Sequence, residues 1–130
     1  MKQVIVMRTD LNMRKGKMVA QGSHASMKPV VDSGSVFVAN GGARYLMIPL
    51  TPEMDEWLMK GVFKKICCGV NSEAELLELL EKAKAAGITC SLITDSGLTE
   101  FSGVPTNTCI SVGPAENDKI NAITGHLKLL

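Results

Sequence analysis

The sequence has no excess of either charge. Among its 130 residues Lys plus Arg number 14 and Asp plus Glu 13, a formal net charge of +1. A protein that coats itself with nucleic acid through bulk charge is far more basic, so that mode is excluded, although a local basic patch is not. Long hydrophobic runs are missing as well. Nothing approaches the ~20 apolar residues that cross a bilayer. Met1 to Met7 is apolar too briefly before Arg8 and Asp10 to act as a secretory signal. There is no Cys-x-x-Cys. Cys67, Cys68, Cys90 and Cys109 lie in apolar, strand-like runs, which predicts reduced, buried thiols in a cytoplasmic protein rather than a disulfide framework. His24 and His126 stand alone, without a His or Cys partner at metal spacing, so no metal site is expected. A Gly-x-Ser-x-Gly elbow, a P-loop, a dinucleotide fingerprint, repeats and low-complexity segments are all absent.

What is present is an ordered chain of single-domain length, 45% hydrophobic and 21% charged. Val4 to Met7 is a β-branched apolar run, the pattern of a strand buried on both faces. A helix is predicted from about Lys15 to Lys28, ending or kinking before Pro29. Val36 to Ala39 and Tyr45 to Ile48 flank Asn40-Gly41-Gly42 and read as a hairpin. Thr51-Pro52-Glu53 starts a helix, with Thr as cap and Pro at its first position, and Lys60-Gly61 closes it. Phe63 to Val70 reads as a strand. The clearest helix opens at residues 71–75, carries Leu76, Leu77, Leu79, Leu80 and Ala83, and ends at Gly87. Strands at 88–93 and 106–112, a helix at 115–124 and a short tail complete the order. Strands alternating with helices predict a three-layer α/β/α sandwich. The last two strands lack an intervening helix, so they should pair antiparallel and make the four-stranded sheet mixed.

Three places could carry chemistry. Lys17, Gln21, His24 and Lys28 share one helix face, against an apolar stripe of Met18, Gly22 and Ala25. That face is either an ordinary solvated surface or a functional one. Thr94 to Glu100 follows a buried strand, where α/β proteins place ligand contacts. Asp95 and Thr99 would face one cleft there, or Asp95 simply caps a turn in which Gly97 takes a positive φ. Thr106-Asn107-Thr108 enters the last strand, for function or for β propensity alone.

Residues 4–11 (Val-Ile-Val-Met-Arg-Thr-Asp-Leu) and 15–25 (Lys-Gly-Lys-Met-Val-Ala-Gln-Gly-Ser-His-Ala) resemble the opening of the archaeal and eukaryotic (type II) peptidyl-tRNA hydrolases. Thr94 to Glu100 resembles that family's Asp-Ala-Gly-x-Thr segment, and Ser111 to Pro114 with Thr124 to Leu130 resembles its end. The matches keep their order and cover nearly all of the chain outside 32–60. The resemblance implies hydrolysis of the ester between a peptide and the terminal ribose of tRNA, with no metal or organic cofactor, on a mixed four-stranded sheet between helices, often as a homodimer. Its functional lysine falls on Lys17, its aspartate on Asp95, its first threonine on Thr99 and its second on Thr108, with Thr106 the other alignment. Asp95 would orient or deprotonate the water, and Lys17 would stabilise the oxyanion or hold a phosphate. Gln21 and His24 would line the cleft or support it from behind, and Arg14 and Lys15 would bind substrate.

The chain departs from the family in three ways. The 32–60 stretch is longer than usual: a lid, an extra dimer contact or an inert insertion. Gly22 replaces a usual cysteine, and Ser96 replaces the alanine beside Asp95. The alternative to an enzyme is a non-catalytic module that binds tRNA or protein on the same fold; a ferredoxin-like small-molecule sensor is a third reading. Charge also segregates along the chain. Lys2, Arg8, Arg14, Lys15, Lys17 and Lys28 all precede the first Glu, at position 53, with only Asp10 and Asp32 among them. This predicts a locally positive sheet edge beside the first helix.

Overall fold

A computed structural model describes residues 1–130. β1 (Lys2–Arg8) is buried over its full length and lies in the middle of a sheet of order β4-β1-β6-β5. β4 (Lys65–Val70) runs parallel to it, β6 (Thr106–Ala115) antiparallel, and β5 (Cys90–Asp95) pairs antiparallel with β6. The sheet is therefore mixed, as the missing helix between the last two strands requires.

Period-two alternation along β1 divides the core. Val4 and Val6 face α3 (Glu73–Ala85) and α4 (Asn117–Thr124), in a cluster with Leu76, Leu80, Ile110 and Ile120. Ile5 and Met7 face α1 (Lys15–Asp32), with Ala25, Ile93 and Cys109. Helices on both faces make the three-layer sandwich. Ser72 caps α3 by accepting from the Glu75 amide (3.1 Å), so the periodic Leu run begins where its side-chain acceptor stands.

α1 does not stop at Lys28. It runs through Pro29 to Asp32, one turn beyond the expected end. Proline removes only one donor there, and buried Val30 packs on Met54 and Trp57, which outweighs that loss. α2 (Pro52–Asp55) starts under the Thr51 cap, whose hydroxyl accepts from the Met54 amide (3.2 Å), and widens into a π-helical turn over Glu56–Lys60. Between α1 and α2 the expected hairpin forms, as β2 (Ser35–Val38) and β3 (Arg44–Met47).

The amides of Gly69 and Leu130 bond across to the Lys128 and Cys67 carbonyls, so the short tail lines the outer edge of β4. One further expectation is corrected. Cys67 is exposed rather than buried, because it faces the part of the sheet that α1 leaves uncovered, and Cys90 is only half-buried; all four cysteines are free. No helix is long and apolar enough to cross a membrane.

Candidate active site

The C-terminal end of β5, the start of β6 and the first turns of α1 converge at one corner of the sheet. Asp95 is the last residue of β5. The turn after it is sharp: Asp95 Oδ2 accepts from the Gly97 amide (2.9 Å), and Gly97 sits at φ +83°. A Cβ on residue 97 would lie 2.5 Å from the Val104 carbonyl oxygen, so only glycine fits. The turn reading of Asp95 is therefore true, and it serves the second reading as well by fixing the carboxylate.

Lys17 comes from α1 and reaches both Asp95 Oδ1 (2.7 Å) and Thr99 Oγ1 (2.9 Å). The two charged side chains are only 13% and 11% exposed, so solvent screens the pair weakly. Gln21, one turn further on, is buried rather than solvated. Its Nε2 donates to Asp95 Oδ1 (3.3 Å) and its Oε1 accepts from the Thr108 hydroxyl (2.5 Å). Thr108 has no exposed surface and spends its one proton there; its Ile93 carbonyl contact is longer, at 3.4 Å. This fixes which end of the Gln21 amide faces Asp95. The face that spacing assigned to Lys17, Gln21, His24 and Lys28 thus divides. Its first half enters the cluster, because β5 and β6 lie beneath it. His24 is exposed and makes no hydrogen bond, and Lys28 pairs with Asp32 (3.1 Å).

The other candidates lie around this cluster. Arg14 is largely exposed and stands 3.6 Å from Glu100, and Lys15 is exposed on the first turn of α1. Thr106 donates to the Val104 carbonyl (2.8 Å) and does not join the network, so the chain of contacts runs through Thr108. Spacing gave no signal for Phe101, whose ring centroid lies 5.8 Å from the Lys17 ammonium. Phe101 and Ser102 both hold positive φ (66° and 52°), a conformation that side chains with a Cβ rarely adopt. The only hint in the sequence was an aromatic residue directly after the Thr94–Glu100 segment.

Electrostatics follow from these contacts. The Lys17 ammonium holds the Asp95 carboxyl below its ordinary range, helped by the Gly97 amide and Gln21 against the opposing effect of desolvation. Asp95 is a carboxylate at neutral pH. No three His, Cys, Asp or Glu side chains gather in a set that would hold a metal ion.

A four-stranded α/β/α sandwich with a Lys–Asp–Thr cluster at one sheet corner brings together the carboxylate, cation and hydroxyl that ester hydrolysis can use. The comparisons make it specific. The family model described as Peptidyl-tRNA hydrolase PTH2 matches residues 1–130, and the chain belongs to that family. It is 44% identical to the peptidyl-tRNA hydrolase of Methanocaldococcus jannaschii, with all of both chains covered. It is 38% identical to that of Methanothermobacter thermautotrophicus, again over all of both. Among solved structures, a protein of unknown function from Agrobacterium aligns with a TM-score of 0.59 at 12% identity, covering 99% of this chain and 96% of that one, a likeness of fold alone.

Proposed function

We infer that the chain hydrolyses the ester between a peptide and the terminal ribose of tRNA, and that Asp95, Lys17 and Thr99 act on the reacting atoms. The observation that carries this reading is the single ammonium group of Lys17, brought in on α1, contacting both Asp95 and Thr99 of the segment that closes β5. Water adds to the ester carbonyl, a tetrahedral oxyanion forms, and collapse releases the peptide carboxylate and a ribose hydroxyl.

A donor and acceptor count assigns the roles. Lys17 has three N–H donors and uses two, which leaves one for the oxyanion or a neighbouring phosphate. Thr99 accepts from Lys17, so its own O–H is free to donate to the ester or the ribose. Asp95 Oδ1 is occupied by Lys17 and Gln21, while Oδ2 carries only the Gly97 amide and keeps a lone pair for water. A carboxylate with a depressed pKa is a weak base. Asp95 therefore orients the water first and takes its proton only as attack makes that proton acidic. Gln21 and Thr108 hold Asp95 in place from behind. Arg14 and Lys15 are assigned to the tRNA backbone near the ester, and His24 to the outer wall of the cleft. The substrate is a product of translation and the free thiols suit a reducing compartment, so we place the enzyme in the cytoplasm.

Purified protein should cleave N-acetylaminoacyl-tRNA and spare free aminoacyl-tRNA. Asp95→Asn and Lys17→Ala should each lower kcat/KM by roughly 10²–10³ with the fold intact. Near-native rates in both folded variants would overturn the assignment. A folded protein that binds tRNA without cleaving it would be a binding module instead.

A further inference from the structure

Every substrate of the proposed reaction carries the same group beside its ester, because tRNA ends in an adenosine whose ribose holds the peptide. The donors and acceptors of the Lys17–Asp95–Thr99 cluster account for the ester and the ribose and leave that adenine without a partner. Charge supplies little of the grip. At this end of the sheet Arg8, Arg14 and Lys17 already face carboxylates, which weakens any hold through phosphate. A nucleobase offers another handle, a flat π-face on which aromatic side chains stack.

Aromatic residues are scarce, three Phe, one Tyr and one Trp, yet one of them stands at the site. The Phe101 ring centroid is 5.8 Å from the Lys17 ammonium, which itself touches Asp95 (2.7 Å) and Thr99 (2.9 Å). Phe101 packs on the cluster of Ile5, Met7 and Ile93 and keeps part of its surface in solvent. Leu98 and Val104, 87% and 60% exposed, flank it in the chain and give the loop an apolar lip. This placement is held against backbone preference. Phe101 and Ser102 keep their positive φ within a single 3₁₀ turn at 101–103. The Val104 amide donates to the Phe101 carbonyl and the Gly103 amide to the Gly97 carbonyl, both at 2.9 Å. Strained backbone of this kind persists only where its surroundings over-determine it, and it gathers at ligand sites.

We propose that Phe101 is the platform for the terminal adenine of peptidyl-tRNA, which stacks on its open surface while the ribose ester of the same nucleotide lies against Lys17, Asp95 and Thr99. The inference rests on the hydrolase reading of that cluster and names a part of the substrate that its polar groups do not hold. Base and ester oxygen belong to one ribose, and Phe101 stands one side chain away from the reacting groups, so both contacts form together. The competing guest for the ring is the side chain of the last amino acid. That side chain varies from one peptidyl-tRNA to the next. A lone aromatic ring fixed by a strained turn suits a flat group that never changes, and stacking needs no free cation.

A tRNA that ends in 2-aminopurine riboside, with its N-acetylaminoacyl group joined through an uncleavable amide, reports the contact directly, because stacking quenches 2-aminopurine emission. Wild type should quench it strongly. Phe101→Leu keeps an apolar side chain without a π-face and should quench it far less, and Phe101→Tyr should restore the effect. In hydrolysis of N-acetylaminoacyl-tRNA, Phe101→Leu should raise KM roughly tenfold with kcat little changed, by the same factor for glycyl and phenylalanyl substrates. Removing the base from the terminal nucleotide should raise the wild-type KM by a similar factor, a measurement that needs no variant to fold, and should add nothing to Phe101→Leu. Unquenched emission with wild type overturns the proposal, as does a wild-type KM indifferent to the missing base. A KM effect that follows the amino acid overturns it in favour of the peptide side chain. A fall in kcat alone overturns it too, since the ring would then act only through Lys17. Quenching by a wild type that cleaves no ester would sink the hydrolase reading and leave the stack standing.

Discussion

Asp95 shows how one side chain is set by its neighbours. Its carboxyl is held below the usual carboxylate range chiefly by the Lys17 ammonium. The sign follows directly. The folded pKa is below the unfolded one, so the group stabilises the fold fully above its unfolded pKa, and that contribution is lost as pH falls through the folded pKa. The acidic limb of kcat/KM should therefore lie below the ordinary titration of an aspartate, and activity should stay flat down to weakly acid pH. Removing Lys17 removes the largest cause of the shift. In Lys17→Ala, carboxyl NMR should show Asp95 titrating at higher pH than in wild type. An unchanged midpoint would mean that the ion pair does not govern this carboxylate in solution.

Between elements, the contact that matters most joins α1 to β6. Gln21 and Thr108 are 87 positions apart in sequence, yet their bond sets the amide that faces Asp95. Thr108 has no exposed surface, so we assign it a positioning role rather than a contact with substrate. Thr108→Val keeps the shape but leaves Gln21 Oε1 buried without its donor, a cost of about 1–3 kcal/mol. Denaturant unfolding should register that loss, and kcat should fall about tenfold with KM little changed. Thr108→Ser restores the hydroxyl and should recover kcat. Loss of kcat equally in Ser and Val would point to packing rather than the hydrogen bond.

At the scale of the molecule, folding undoes the charge segregation seen along the chain. Four of the six early cations acquire acidic partners: Arg8 with Asp10 and Glu73, Arg14 with Glu100, Lys17 with Asp95, and Lys28 with Asp32. Lys2 is buried and donates to Asn121 (2.6 Å). Only Lys15 of the six stands without such a partner, so the strongly positive edge that the sequence suggested is largely neutralised. Binding to a non-cleavable aminoacyl-tRNA analogue should show a log–log salt slope of only roughly −2 to −4. A much steeper slope would mean that many more cations engage the backbone than the ion pairs leave free.

Local rules in the sequence determined the elements, because caps, periodicity and turn residues act within a few positions. The Thr51 and Ser72 caps, the Leu stripe of α3 and the hairpin around Asn40-Gly41 all stand where those rules place them. Lys17, Asp95 and Thr99 were legible as candidates, and the motif order around them pointed to the family. Only the tertiary structure decided that Gln21 is buried and bridges to Thr108 while His24 is left in solvent, since helical spacing puts both on one face and only the strands beneath choose between them. It also joined Phe101 to the site. Each of those outcomes depends on the sheet order β4-β1-β6-β5, which brings residues about 80 positions apart into contact and has no signature in any short stretch of sequence.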